Sequence, residues 1–351
     1  QPDKALKVFL QASEMDEDMV EMHIALGNLF RRRGEIERAT SIHQNLVERS
    51  DLDDSLRSLA LYELAQDYFK AGLFDRSEGL FQELRQLSDY REQACQFLLQ
   101  IYDQEKEWHS AIVIGEELSA IAKQDYSETL AQYCCELADH ALGEGKAGKA
   151  EYYLESAFRY DEKCVRAAIL SGRVAASRGN HSGAIAIWRG LERWAPEALG
   201  EVVELVSRSY AALNDEQGFR DFLESALEKN PDARIVSSLV EMSRNHRGGL
   251  ASTQILLDIV RKYPSLEGLY QLLRNRNATE LFKGESIDIE LIARLLSEAM
   301  GHAREYHCRQ CGFNSSTMHW QCPGCKAWGS VQKRLFGSDR LENPGPSKLL
   351  T

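Results

Sequence analysis

The stretch Leu26-Gly27-Asn28-Leu29-Phe30-Arg31-Arg32-Arg33-Gly34-Glu35-Ile36-Glu37-Arg38-Ala39 decides the fold. It sets a small residue beside a large apolar one, an aromatic three positions on, then a glycine and an alanine. On a helix, the small residue lets a neighbouring helix approach closely. Gly34 supplies the left-handed backbone that ends a helix, and Ala39 is small again on whatever follows. The stretch predicts two antiparallel helices joined by a tight turn.

The pattern returns about every 34 residues. Leu64-Ala65, Tyr68, Gly72, Ser77 and Phe81 repeat it, followed by Leu98-Leu99, Tyr102 and Ala111. Leu137-Ala138, Gly145, Ala150 and Leu154 come next, then Ser171-Gly172, Gly179, Ala184, Trp188 and Pro196. Tyr210, Phe219, Leu223 and Pro231, then Leu239, Leu256 and Pro264, close the series. The prolines fall where a second helix cannot continue. One helix pair cannot bury its apolar face alone, so neighbouring pairs must stack.

This arrangement resembles the tetratricopeptide repeat (TPR) family over residues 1–264, as about seven repeats with the first truncated. Lys4 to Ala12 reads as only the second helix of that first repeat, and the seventh is degenerate at Ser243 and Arg247. Residues 265–305 read as atypical terminal helices, 306–335 as a separate small module, and 336–351 as a flexible tail. The expected fold class is all-α, a helical-hairpin solenoid with a small C-terminal metal knuckle.

Composition agrees. Of 351 residues, 43% are hydrophobic and 27% charged, which excludes a disordered or collagen-like chain. No stretch approaches the 18 apolar residues of a membrane span. The chain begins Gln1-Pro2 rather than Met, so a fragment is expected. The net charge of −12 is the sum of −16 over the first 300 residues and +4 over residues 301–340. Near the end, Arg304, Arg309, Lys326, Lys333, Arg334 and Arg340 outweigh Glu305 and Asp339. An acidic body argues against general nucleic-acid binding, whose affinity rests on phosphate contacts.

The strongest chemical signal is Cys308-Arg-Gln-Cys311-Gly312-Phe313 followed by Cys322-Pro323-Gly324-Cys325. Each C-x-x-C puts two thiolates on one turn, and two such turns make a tetrahedral four-sulfur site for one metal ion, iron or zinc. Four protein ligands leave no position for substrate, so a hydrolytic metal is not expected. Gly312 and Pro323-Gly324 suit turns whose N–H groups point at sulfur, and Phe313, Trp320 and Trp328 suit a miniature core. His307 and His319 flank the cluster and read as packing residues.

Other motifs read as structure. Gly143-Glu-Gly145-Lys-Ala-Gly148-Lys-Ala150 matches G-x-G-x-x-G, but the preceding segment is helical and Ala150 lacks the hydroxyl that magnesium needs. Cys134-Cys135 reads as small core residues, and Trp108 and Trp188 as packing. No catalytic spacing is present. The exposed row of the first helices places Asn28, Arg31, Gln66, Gln100, Asp103, Arg173 and Arg208 where they could hold an extended partner segment, or simply be solvated.

A TPR array followed by Tyr306-His-Cys-Arg-Gln-Cys-Gly-Phe313 and His319-Trp-Gln-Cys-Pro-Gly-Cys-Lys-Ala-Trp328 resembles the lipopolysaccharide assembly protein B family. The resemblance implies a rubredoxin-like metal module ligated by Cys308, Cys311, Cys322 and Cys325. It implies a non-enzymatic inner-membrane protein on the cytoplasmic side, anchored by one spanning helix absent from this stretch. It also implies an adaptor that helps a membrane-bound ATP-dependent metalloprotease degrade the lipid A pathway deacetylase, in contact with lipopolysaccharide assembly and export proteins. Two other classes stand beside it: an iron-dependent electron-transfer protein, and a nucleic-acid binder using the basic end. A homodimer through an exposed helix is a further expectation.

Overall fold

The structure is a computed structural model, and it describes residues 17–122, 124–230, 232–246 and 306–333, with a few isolated positions between the last two ranges. The expected half-repeat at Lys4 to Ala12, the helices of 265–305 and the tail of 336–351 fall outside these residues.

Thirteen α-helices are described. They form six successive hairpins: α1 (Glu17–Arg32) with α2 (Ile36–Val47), α3 (Asp54–Lys70) with α4 (Phe74–Leu84), α5 (Arg91–Glu105) with α6 (Trp108–Ile121), α7 (Ser127–Gly143) with α8 (Ala147–Tyr160), α9 (Val165–Ser177) with α10 (His181–Trp194), and α11 (Leu199–Leu213) with α12 (Glu216–Lys229). A short 3-10 turn at Pro196–Ala198 leads into α11, and α13 (Ala233–His246) follows. The fold is the expected all-α TPR-type array. Among the described residues, no helix is long and apolar enough to cross a membrane.

Every hairpin turns the same way. One residue takes a left-handed backbone: Gly34, Gly72, Lys106, Gly145, Gly179 and Asn214, with φ between 55° and 80°. The next N–H returns to a carbonyl of the last helical turn, from Glu35 to Phe30, Leu73 to Tyr68, Glu107 to Tyr102, Lys146 to Ala141, Asn180 to Ala175 and Asp215 to Tyr210, at 2.8–3.1 Å. This is a Schellman cap, which satisfies carbonyls that a helix end would leave bare. Asn180 and Asp215 then cap the second helix, accepting from Gly183 N–H at 3.0 Å and Gly218 N–H at 2.8 Å. The Gly143–Ala150 motif is one of these turns, with a helix before it and no strand.

Lys106 holds the turn without being glycine. A Cβ costs about 1–2 kcal/mol in a left-handed conformation, against about 0.5–1 kcal/mol of chain entropy that glycine would lose. Lys106→Gly is therefore expected to stabilise the protein by about 0.5–1 kcal/mol, read as a higher urea midpoint at unchanged slope. A lower midpoint would show that the Lys106 side chain holds more than its backbone costs.

Inside a hairpin, size is complementary. A Cβ on Gly27 would lie 2.3 Å from His43 Nε2, and one on Gly172 would lie 2.2 Å from Trp188. The rings occupy the space that the missing side chains leave. Trp188 is 1% exposed and donates its indole N–H to Ile169 carbonyl at 3.1 Å. In the third hairpin the roles change hands: Gly115 faces Leu99 and Leu130. Trp108 also packs, stacking on Tyr133 with ring centroids 5.4 Å apart.

The chain divides into two compact units that part between Tyr133 and Cys134. The second unit contains a core from Ala168 to Leu239, built around Trp188, Leu199 and Phe222. It also holds a three-stranded antiparallel sheet, β1 (Tyr306–Cys308), β2 (Asn314–Ser315) and β3 (Val331–Lys333), ordered β2-β1-β3. In register, Tyr306 pairs with Ser315 on one side and Lys333 on the other.

Candidate metal centre

The sheet exists to hold two turns. Cys308 ends β1, and Gly312, with φ 74°, closes the first turn by donating its N–H to Cys308 carbonyl at 2.9 Å. The second turn repeats this geometry, with Lys326 N–H on Cys322 carbonyl at 2.9 Å and φ 62° at Lys326. The first turn has glycine in the left-handed position and the second has lysine. Around them, Tyr306, Cys308, Cys322 and Val331 make a small buried cluster against which Phe313 and Met318 pack.

The four sulfurs converge. All lie within 4.8 Å of one another. Cys308 Sγ is 3.7 Å from Cys325 Sγ, and Cys311 Sγ is 3.6 Å from Cys322 Sγ. Metal–sulfur bonds of about 2.3 Å in a tetrahedron put sulfurs about 3.8 Å apart. The donor set therefore fits one tetrahedral metal ion. The first cysteine of each pair is buried and the second exposed, so one edge of the tetrahedron faces solvent.

The electrostatics ask for a cation. Cys308 Sγ lies 3.3 Å from Ser330 Oγ. That hydrogen bond, with the N–H groups of Cys311 and Gln310, lowers the Cys308 thiol to about 6 against the cost of desolvation. The Phe313 N–H favours a thiolate at Cys311, yet desolvation and the neighbouring sulfurs outweigh it and push Cys311 up to about 12. The Ala327 N–H likewise favours a Cys325 thiolate, and again desolvation and adjacent sulfurs win. Without a metal, four thiolates so close cannot all ionise. A bound metal cation would remove that repulsion, with Cys308, Cys311, Cys322 and Cys325 as its ligands.

Neither histidine completes the site. His319 Nε2 lies 3.0 Å from Ser315 Oγ and 3.2 Å from Thr317 Oγ1. His307 sits in β1 opposite Gln332 and Asn314. Of the three aromatics expected in the miniature core, Phe313 packs there and Trp328 bridges to Gln321 beside it. Trp320 packs against the core of the helices instead, with the Arg166 guanidinium 5.8 Å from its ring centroid. A module with so few apolar residues has little interior for an indole, and the helices have more.

The metal module is seated on the start of three helices. Tyr306 donates its hydroxyl to Glu201 Oε1 at 2.7 Å. Lys333 Nζ meets Asp232 Oδ2 at 2.6 Å, where the Asp232 side chain is fully buried. Arg234 holds the same carboxylate at 3.1 Å and also reaches Glu201. Arg166, under Trp320, is fixed by Glu136 at 2.7 Å. Sequence reasoning missed these seat residues; one signal for them was a charged residue at the start of each successive first helix.

Desolvation works to raise the Asp232 carboxyl, but Arg234 and Lys333 together hold it below its ordinary value of 3.8. A carboxyl with a depressed native pKa stabilises above its unfolded pKa, and that stability is lost as pH falls through the native one. The seat is thus expected to weaken below about pH 4. In Asp232→Asn, amide exchange at Lys333 and Tyr306 should already be fast at neutral pH. Unchanged exchange in that variant would show that the seat does not depend on the ion pairs.

The residues expected on the first-helix row are placed as follows. Arg31 turns into the array, bonding Asp67 at 2.8 Å, Asn28 at 2.6 Å and Glu63. Gln66 donates to Glu63 at 3.3 Å, and Gln100 to Gln96 carbonyl at 3.3 Å. Asp103 is half-buried. Arg173 pairs with Asp139 at 2.8 Å, and Arg208, exposed, pairs with Glu204.

The chain matches the rubredoxin metal binding domain over residues 306–333 and the tetratricopeptide repeat over residues 135–198. It is similar to lipopolysaccharide assembly protein B of Escherichia coli strain K12, 32% identical over 342 residues, covering 97% of this chain and 87% of that one. The protein of the same name from Haemophilus influenzae is 30% identical over 341 residues, covering 95% and 86%. A solved tetratricopeptide repeat protein from Parabacteroides merdae aligns with 73% of this chain and 97% of its own, at 14% identity and a TM-score of 0.33.

Proposed function

The chain belongs to the lipopolysaccharide assembly protein B family, and on that premise we propose that it is a non-enzymatic adaptor in lipopolysaccharide regulation. In this reading it presents the lipid A pathway deacetylase to a membrane-bound ATP-dependent metalloprotease at the cytoplasmic side of the inner membrane. It also contacts lipopolysaccharide assembly and export proteins. The observation that carries the reading is the seat. Through Lys333–Asp232, Tyr306–Glu201 and Trp320–Arg166, the four-cysteine module rests on the array that would hold partners. Cys308, Cys311, Cys322 and Cys325 would hold the metal, zinc or iron, and the metal would keep the module folded on its seat. Asn28, Arg31, Gln66, Gln100 and Asp103 in the first unit, and Arg173 and Arg208 in the second, would offer polar groups to a partner segment. Those already paired inside the array would act by shaping that surface.

Affinity co-purification of the membrane-anchored protein tests this, with the Cys308→Ser/Cys311→Ser double variant as control. Recovery of the protease and the deacetylase, weakened in the variant, is expected. Recovery of redox enzymes alone would instead favour electron transfer, which requires iron and a coloured, reversibly reducible protein; the exposed Cys311 and Cys325 are the edge such a partner would meet. Salt-sensitive recovery of nucleic acid would favour the basic module, although Lys333 is already spent on Asp232.

A further inference from the structure

Outside the metal centre, one pair of cysteine sulfurs among the described residues lies close together. Cys135 on α7 and Cys164, the residue that leads into α9, have their Sγ atoms 3.8 Å apart. Both are buried, at 0% and 1% exposure. Their surroundings differ. Cys164 is the residue before the first turn of α9, where the Ala167 N–H and Arg166 favour negative charge on its sulfur. Cys135 is enclosed among Cys164, Cys134 and the helix packing. We propose that Cys164 and Cys135 form a reversible disulfide, with Cys164 as the attacking thiolate and Cys135 as the resolving thiol. This does not depend on the adaptor reading.

A disulfide needs the sulfurs about 2.05 Å apart, so the side chains must bring them closer by about 1.8 Å. The hydrogen bond between them and the Ala167 N–H hold the Cys164 thiol below its ordinary value, and the same bond with desolvation holds Cys135 well above it. One thiolate beside one protonated thiol is the division of labour the reaction needs. Burial restricts the oxidant to a small one, such as a peroxide. The Cys164 thiolate attacks a peroxide oxygen, the O–O bond breaks, and the departing hydroxide takes a proton to leave as water. Cys135 sulfur then attacks the sulfenic sulfur, the S–S bond forms, the S–O bond breaks, and the Cys135 proton leaves in a second water. The two sulfurs lose two electrons together, and the peroxide gains them. The product would staple α7 to the start of α9, beside the Glu136–Arg166 pair that already bridges them.

The test is to titrate the metal-loaded full chain with hydrogen peroxide, digest it without reduction and map the cysteines by mass spectrometry. The expected result is a cross-linked Cys135–Cys164 peptide lighter by two hydrogens, loss of two free thiols with the metal still bound, and reversal by dithiothreitol. In Cys135→Ser, dimedone should trap a sulfenic acid on Cys164. The proposal is overturned if Cys135 and Cys164 remain thiols while the ribbon cysteines oxidise and release metal, or if Cys164 is found joined to Cys134. The wild-type map decides even if the variant fails to fold.

Discussion

Stripping the metal with a chelator should unfold residues 306–333 and leave the far-ultraviolet signal of the helices almost unchanged. The module has no other source of stability large enough. Its strands are three, two and three residues long, and its buried cluster is Tyr306, Cys308, Cys322 and Val331. A sheet that small is marginal alone. Structural metal binding in comparable small modules supplies about 10–16 kcal/mol of apparent folding free energy, far more than the seat's ion pairs can. Once the metal leaves, sulfurs within 4.8 Å of one another must take up protons or repel. Trp320 then loses its place over Arg166, and Tyr306 and Lys333 leave Glu201 and Asp232. Amide exchange should rise across residues 306–333, and tryptophan emission should shift to the red. Cys322→Ser, which alters a fully buried ligand, should reproduce both effects at ambient metal. Protected amides in the ribbon after complete metal removal would show that the seat, not the metal, folds it.

The parts of this molecule that were legible in sequence are those whose physics is local. Two C-x-x-C pairs declare a four-sulfur site because each pair is set by one turn. Gly34, Gly72, Gly145 and Gly179 declare hairpin turns because a left-handed backbone selects glycine. Lys106 and Asn214 occupy the same slot, and composition hides them; only their register in the repeat gives them away. Arg31 shows the other limit. Its helical position places it on the first-helix row, but its partners Glu63 and Asp67 lie one repeat further on. A face can be read from one helix, whereas a charge pair needs two. Sequence alone groups Trp320 with its neighbours, because nothing local tells an indole to face another element. The seat on α9, α11 and α13 was invisible for the same reason.

Asp67→Ala is expected to cost about 3–5 kcal/mol, the loss that follows when one partner of a buried charge network is removed. The Asp67 side chain is fully buried and joins two hairpins. One oxygen accepts from Arg31 at 2.8 Å, and the other meets His43 Nδ1 at 2.6 Å. His43 is itself wedged into the space over Gly27, with Nε2 3.4 Å from Ile24 carbonyl. Removing the carboxylate leaves a buried imidazole nitrogen without its acceptor and a guanidinium that keeps only Glu63, Asn28 and the Glu63 carbonyl. Burial makes each of those losses costly, where an exposed pair would lose at most about 1 kcal/mol. Urea unfolding of the variant measures the effect, and a cost below about 1 kcal/mol would mean the network matters no more than a surface bridge. The repeat suggests a rescue. The hairpin position of His43 is filled by Phe81, buried, in the next repeat and by Trp188 over Gly172, rings with no carboxylate to satisfy. His43→Phe in the Asp67→Ala background should therefore recover part of the loss, because it removes the stranded nitrogen while keeping a ring in the hole. If it recovers nothing, the cost lies in Arg31, and the network's work is to hold that guanidinium between the hairpins rather than to seat the histidine.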